Sequence, residues 1–215
     1  METPVFLDKL TLPTPCQQGM DRLLTSGERK ILGLVAPPGA GKSTLAEVLI
    51  ARYPKQVQGV PMDGFHLANS ELARLGRQQR KGAPDTFDAA GFVNLLQRLK
   101  KQSPAETIYA PQFRRDIEEP VAGAIAVAPE TTLVITEGNY LLLDDKPWSE
   151  LRELVDEIWY LDVPDELRRE RLLVRHMKFG RSRAQALDWI ARTDEPNAVR
   201  IARTRVLADL CVSWV

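Results

Sequence analysis

The residues best suited to chemistry lie in Val35-Ala36-Pro37-Pro38-Gly39-Ala40-Gly41-Lys42-Ser43-Thr44-Leu45. Gly41-Lys42-Ser43-Thr44 is the tail of the phosphate-binding loop G-x-x-x-x-G-K-[ST], and Ala36 stands where that motif has its first glycine. Backbone N–H groups of such a loop, with the N-terminus of the following helix, cradle phosphate oxygens. The lysine adds positive charge at the β- and γ-phosphates and the Ser hydroxyl ligates magnesium. The nucleotide-binding set is therefore Pro38, Gly39, Ala40, Gly41, Lys42, Ser43 and Thr44, with Ser43 facing the metal. Alanine at position 36 fits only if its backbone keeps φ below zero, because glycine alone takes positive φ without cost.

A second group sits in Pro61-Met62-Asp63-Gly64-Phe65-His66-Leu67. Asp63 directly follows an apolar run, and a carboxylate there has two readings. It is either a turn residue that caps a helix or a base that takes the proton of an attacking hydroxyl. The phosphate loop favours the base. Gly64 lets the chain turn, and His66 can face the same pocket. Arg114 and Arg115 are adjacent, and two guanidinium groups suit an acceptor that bears a carboxylate or phosphate, although solvated surface arginines are equally compatible with the pattern. Arg168, Arg171 and Arg175, at spacings of three and four, share one helix face, which the pattern alone favours as a solvated basic face over a lid that clamps phosphate oxygens. Asn197 is a candidate for the adenine, and Trp148, Trp159 and Trp189 read as core residues.

These groups need a scaffold. Residues 30–36, 57–63, 131–138, 157–163 and 207–215 read as strands, and 88–101, 165–178 and 183–193 as helices, besides the helix that begins in the phosphate loop. Alternating strands and helices imply a parallel α/β sheet. Two segments, 74–87 and 103–123, are rich in Pro, Gly and charge and read as long irregular stretches near the ligand. Lys plus Arg equals Asp plus Glu at 29 each, so there is no basic field to draw nucleic acid. Cys16 and Cys211 lack metal-ligand spacing, the N-terminal residues lack a signal-peptide pattern, and no apolar stretch has membrane-spanning length. A single cytoplasmic domain over residues 1–215 is expected, with 1–27 as an N-terminal extension and 165–183 as the lid. A homodimer is compatible with this reading.

Taken together, "APPGAGKST", "MDGFHL", "RKGAPDTFD", "VITEGNYLLL" and "RLLVRH" resemble the phosphoribulokinase and uridine kinase family of P-loop kinases over about residues 28 to 213. Within it the chain is most similar to the bacterial branch near pantothenate kinase and to the nucleoside or sugar kinase-like proteins called fructose-transport kinases. The phosphate loop is common to many proteins, whereas DGFH followed by K-G-x-P-[DE]-[ST]-[FY]-D is specific. The resemblance implies a P-loop NTPase three-layer sandwich with a five-stranded parallel sheet and a helical lid. It implies ATP and Mg2+ as cofactors, a small-molecule acceptor and no nucleic-acid or membrane partner. Asp63 is implied as catalytic base, assisted by Lys42, Arg171 and Arg175, and Ser43 and Glu137 as the metal side. The implied acceptor contacts are His66, Lys81, Asp85, Arg115, Glu137 and Tyr140. In "APQFRRD" the family's tyrosine is replaced by Phe113. Two rivals are a regulatory ATPase with no acceptor and a nucleic-acid end kinase. The Asp63 turn with "KGAPDTFD" argues against the first, and the acidic "DTFDAAGF" and "DIEEP" argue against the second.

Overall fold

The computed structural model describes residues 11–214. Five strands, β1 (Lys30–Val35), β2 (Val57–Gly59), β5 (Leu133–Gly138), β6 (Glu157–Asp162) and β7 (Leu210–Ser213), form one parallel sheet in the order β2-β5-β1-β6-β7. The central strand β1 is buried over Ile31–Val35, as a strand covered on both faces must be. Its alternation divides the core. Ile31 and Val35 face Phe92, Leu96 and Leu99 of helix α4 (Ala89–Lys100). Leu32 and Leu34 face Leu45 and Leu49 of α2 (Lys42–Arg52) and Cys16 and Met20 of α1 (Thr14–Leu24). The result is the expected three-layer sandwich. Among the described residues no helix is long and apolar enough to cross a membrane.

The N-terminal extension is thus partly built into the fold, because α1 buries Cys16, Met20 and Leu23; residues 1–10 of it lie outside the described residues. β2 is shorter than the run 57–63. Pro61 has no N–H for the ladder, and the chain passes at Met62–Phe65 into a turn of 3-10 helix that holds Asp63 beyond the strand end. Segment 74–87 remains irregular apart from a six-residue helix α3 (Asn69–Arg74) that ends in it and two short 3-10 turns.

The other irregular expectation is overturned. Residues 108–127 form an antiparallel hairpin, β3 (Ile108–Arg114) and β4 (Glu119–Val127), separate from the main sheet. Its register shifts between Ala110 and Gln112, on either side of Pro111, which cannot donate to the ladder. Most of β4 is exposed, which removes the apolar alternation that marks a strand in sequence.

Helix α6 (Asp165–Lys178) is followed by α7 (Arg183–Trp189), a π turn over Ile190–Asp194 and α8 (Glu195–Ala202). Ser182 and Gln185 form a reciprocal capping box that starts α7. A short helix α5 (Leu151–Leu154) precedes β6.

Candidate active site

The phosphate loop links the C-terminal end of β1 to α2, the usual ligand end of a parallel sheet. Gly39 (φ 83°) and Gly41 (φ 87°) take left-handed backbone conformations that L residues seldom adopt. A Cβ at Gly39 would also meet the Arg168 carbonyl oxygen at 2.5 Å, so α6 packs directly on the loop. Ala36 is fully buried and has no positive φ, Glu118 being the one non-glycine residue with it among those described. Alanine is therefore unstrained where the motif has glycine. Ala36→Gly should leave ATP affinity within about threefold of wild type by isothermal titration, because neither a side-chain contact with ligand nor a backbone angle depends on it; a change above about tenfold, roughly 1.4 kcal/mol, would contradict this geometry.

Lys42 Nζ donates to the carbonyl oxygens of Ala36 (3.0 Å) and Pro37 (3.4 Å) and to Asn139 Oδ1 (2.6 Å). Ser43 Oγ donates to Glu137 Oε1 at 2.8 Å. Glu137 stands near the end of β5, which lies between β1 and β2, so the sheet order alone sets this carboxylate beside the loop. Burial pushes the Lys42 ammonium below its ordinary value, against the pull of Glu137 and Asp63. Burial, with the nearby Asp63 charge, pushes the Glu137 carboxyl up, against Lys42 and Ser43. Polyphosphate beside Lys42 and a divalent cation beside Ser43 and Glu137 would each favour the charged form, so this donor set fits Mg2+ and a nucleoside triphosphate.

Asp63 faces the loop from the 3-10 turn after β2. A Cβ on Gly64 would lie 2.3 Å from the Pro111 carbonyl oxygen, so only glycine lets the β3–β4 hairpin close over this turn. The hairpin brings Arg115 Nη2 to 3.3 Å from Asp63 Oδ2. His66 Nδ1 lies 2.8 Å from the Asp63 carbonyl oxygen, which can only accept, so Nδ1 carries a proton. The ring sits against Phe87 (centroids 4.0 Å) and Phe113 (4.8 Å), and burial holds its pKa below the usual histidine value.

These groups line one cleft of about 620 Å³, together with Pro38, Lys81, Glu137, Asn139, Arg175 and Asn197. Arg175 projects into it from α6, and its guanidinium has no hydrogen-bond or ion-pair partner among the described residues. Burial and the Arg115 charge both lower its pKa, although arginine stays protonated. Other expected residues stand apart. Gly39, Ala40, Gly41 and Thr44 contribute backbone to the loop rather than side chains to the cleft wall. Arg171 lies off the cleft wall, its Nη1 3.6 Å from where a Gly41 Cβ would be. Asp85 is away from the cleft, paired with Arg80 at 2.5 Å and Arg77 at 3.4 Å. Tyr140 is fully buried behind it, donating its hydroxyl to the Gly82 carbonyl and packing on Phe87 and Trp148, so it supports the Lys81-Gly82 segment.

Arg168, Arg171 and Arg175 of α6 do not act alike. Arg168 is buried and clamps the loop to α8: Nη1 donates to the Pro38 carbonyl (3.3 Å) and Nη2 to Glu195 (2.5 Å). Only Arg175 reaches the cleft. Arg175→Ala should lower kcat about 100-fold with little change in ATP affinity, as for charge felt mainly during transfer, while Arg171→Ala should cost less than about fivefold. Equal losses in steady-state kinetics would contradict this division. Trp148 and Trp159 are core residues as expected, but Trp189 lines the cleft, with the Arg181 guanidinium 4.0 Å over its ring. Arg181 also donates to His176 Nδ1, and His176 Nε2 lies 2.8 Å from Asp194, a network that ties α6 to the π turn. Asn139 was missed by sequence reasoning; its place just beyond the strand carrying Glu137 was the available signal.

The family model described as "Phosphoribulokinase / Uridine kinase family" matches residues 31–215. A candidate uridine kinase of Schizosaccharomyces pombe is 36% identical over 199 residues, covering 87% of this chain and 84% of that protein. The uncharacterized protein YggC of Escherichia coli is 40% identical over 189 residues, covering 86% and 77% respectively. Among solved structures, a candidate fructose transport system kinase of Silicibacter sp. TM1040 superposes with a TM-score of 0.84 at 38% identity, covering 94% of this chain and 99% of that one. With its loop, sheet order and cleft, the chain belongs to the phosphoribulokinase and uridine kinase family of P-loop kinases.

Proposed function

We propose that this protein transfers the γ-phosphate of ATP, with Mg2+, to a hydroxyl group of a small-molecule metabolite of the nucleoside, sugar or pantothenate-like kind. The observation that carries the reading is the convergence on one cleft of the loop lysine Lys42, the carboxylate Asp63 and the guanidinium of Arg175, which is unpaired among the described residues. The acceptor hydroxyl gives its proton to Asp63 as its oxygen bonds to the γ-phosphorus, and the bond to the departing ADP breaks in line. No phosphoenzyme is needed. Lys42 and Arg175 hold charge that builds on the transferring group. Ser43 and Glu137 would hold Mg2+, which when bound neutralises phosphate charge and orients the oxygens. Pro38 and Asn197, which both line the cleft, would border the nucleotide.

In this reading residues 1–215 act as one kinase domain, cytoplasmic in setting, with 165–183 as its lid. The test is a metabolite panel incubated with ATP, Mg2+ and pure protein, scored for phosphorylated product against acceptor-free hydrolysis. At least one acceptor should raise ADP formation well above background. A regulatory ATPase would hydrolyse ATP at a rate that no acceptor changes, and that result would overturn the proposal.

A further inference from the structure

The hairpin that closes over Asp63 carries a cationic site that phosphoryl transfer to a neutral alcohol would not require. Phe113 is its centre: Lys81 Nζ lies 5.2 Å from the ring centroid and the Arg115 guanidinium 5.9 Å, while His66 packs on the same ring. Lys81 and Arg115 come from segments far apart in the chain, the irregular 74–87 region and the hairpin tip, yet both line the cleft. The tip's acids offset them only in part: the Glu119 and Glu118 charges act on Lys81 from nearby, but neither forms an ion pair with it. Asp116 is taken by Arg114 in two hydrogen bonds of 2.9 and 2.7 Å, and Glu119 accepts from the Asn69 backbone N–H at 3.0 Å. Glu118 is exposed at the rim and meets Lys81 through its backbone carbonyl at 2.5 Å. Lys81 is also held by Asn69 Oδ1 at 2.6 Å, so its ammonium is positioned by neutral oxygens and keeps its charge for a ligand. Arg115, by contrast, is spent on Asp63 through one long contact of 3.3 Å. That contact occupies the group expected to accept the hydroxyl proton.

We propose that the acceptor carries an anionic group, a carboxylate or a phosphate, received by Lys81 and Arg115 against the Phe113 ring, and that this group draws Arg115 away from Asp63. The substrate is then a hydroxy acid or a hydroxylated phosphate ester, and its own charge frees the base that activates its hydroxyl. Arg115 is a half-exposed side chain on a turn, so moving it costs little beyond one weak ion pair. The exchange replaces a monodentate contact with a charge-assisted pair to the ligand.

The inference rests on the kinase reading and is tested so that the two can fail separately. Matched acceptors are supplied with Mg·ATP: D-glycerate against glycerol, pantothenate against pantothenol, and ribose 5-phosphate and ribulose 5-phosphate against the free sugars. Phosphorylated product is measured by mass spectrometry. The anionic member of the productive pair should exceed its neutral partner by about 100-fold in kcat/KM, about tenfold for each of two charge-assisted contacts. Which pair responds distinguishes carboxylate from phosphate. Arg115→Ala should cut that preference to about tenfold, mainly through KM, while raising acceptor-free ATP hydrolysis about two- to fivefold, the scale of an exposed ion pair. Arg115→Lys should restore much of the preference. Neutral acceptors used as well as anionic ones, or a preference untouched by Arg115→Ala, would overturn the proposal and leave the kinase reading standing. If no acceptor in any pair is phosphorylated, the kinase reading falls and this inference with it.

Discussion

Asp63→Asn lowers acceptor phosphorylation by about 10²–10⁴-fold, the usual worth of a general base, and leaves the ATP dissociation constant unchanged within about twofold. The substitution is nearly isosteric; it removes the capacity to take a proton and, with the charge, one exposed ion pair of 3.3 Å to Arg115 that contributes little to stability. Asp63 is half-buried on a turn fixed by Gly64 against Pro111 and by the hydrogen bonds of its own carbonyl to the backbone N–H and the Nδ1 of His66, none of which uses the carboxylate. The melting temperature should therefore move little. In the proposed reaction the loop would hold the nucleotide across the transferring phosphate from Asp63, so affinity should be spared. Single-turnover kinetics with the productive acceptor, beside titration of ATP, makes the comparison. Retained phosphorylation would exclude Asp63 as the base.

Lys42→Ala abolishes detectable turnover, a loss of at least about 10³-fold, and also weakens ATP binding, since this ammonium meets phosphate in both ground and transition states. Stability should respond in the opposite sense. Lys42 is buried, its pKa is lowered by desolvation, and its hydrogen bonds go to Ala36, Pro37 and Asn139 rather than to a paired carboxylate. Removing a charge that the fold carries at a cost should leave the ligand-free protein as stable as wild type or more so. Thermal melts with and without Mg·ATP separate the two effects: wild type should gain stability from nucleotide and the variant should not. A variant that melts early without ligand would make Lys42 a structural residue instead.

The sequence by itself determined the parallel α/β sheet and the phosphate-loop side of the cleft, because both rest on local rules. An apolar run of strand length, a loop with Gly39 and Gly41, and a helix starting at Lys42 specify the cradle within a short stretch of chain. Asp63 was legible for the same reason, as an acid just past a strand. The same periodicity found α4 and α6 but could not divide the labour among Arg168, Arg171 and Arg175. One helix face meets the loop at Arg168 and the cleft at Arg175, so Arg168 became a buried clamp and Arg175 a guanidinium with no partner among the described residues.

What only the tertiary structure decided is the side of the cleft that the hairpin closes. The β3–β4 hairpin has an exposed strand and a proline at its register shift, so it lacks the alternation that marks strands in sequence. Its position depends on Gly64 and Pro111, residues far apart in the chain that lie so close that any side chain at position 64 would clash with the Pro111 carbonyl. Tyr140 and Asp85 illustrate the same limit. Both lie in motifs near the site, yet packing turns the first into a buried support for Gly82 and ion pairing turns the second toward Arg77 and Arg80. Long-range closure, with side-chain direction set by packing, is what local pattern does not encode, and it alone brought Lys81, Phe113 and Arg115 together over Asp63.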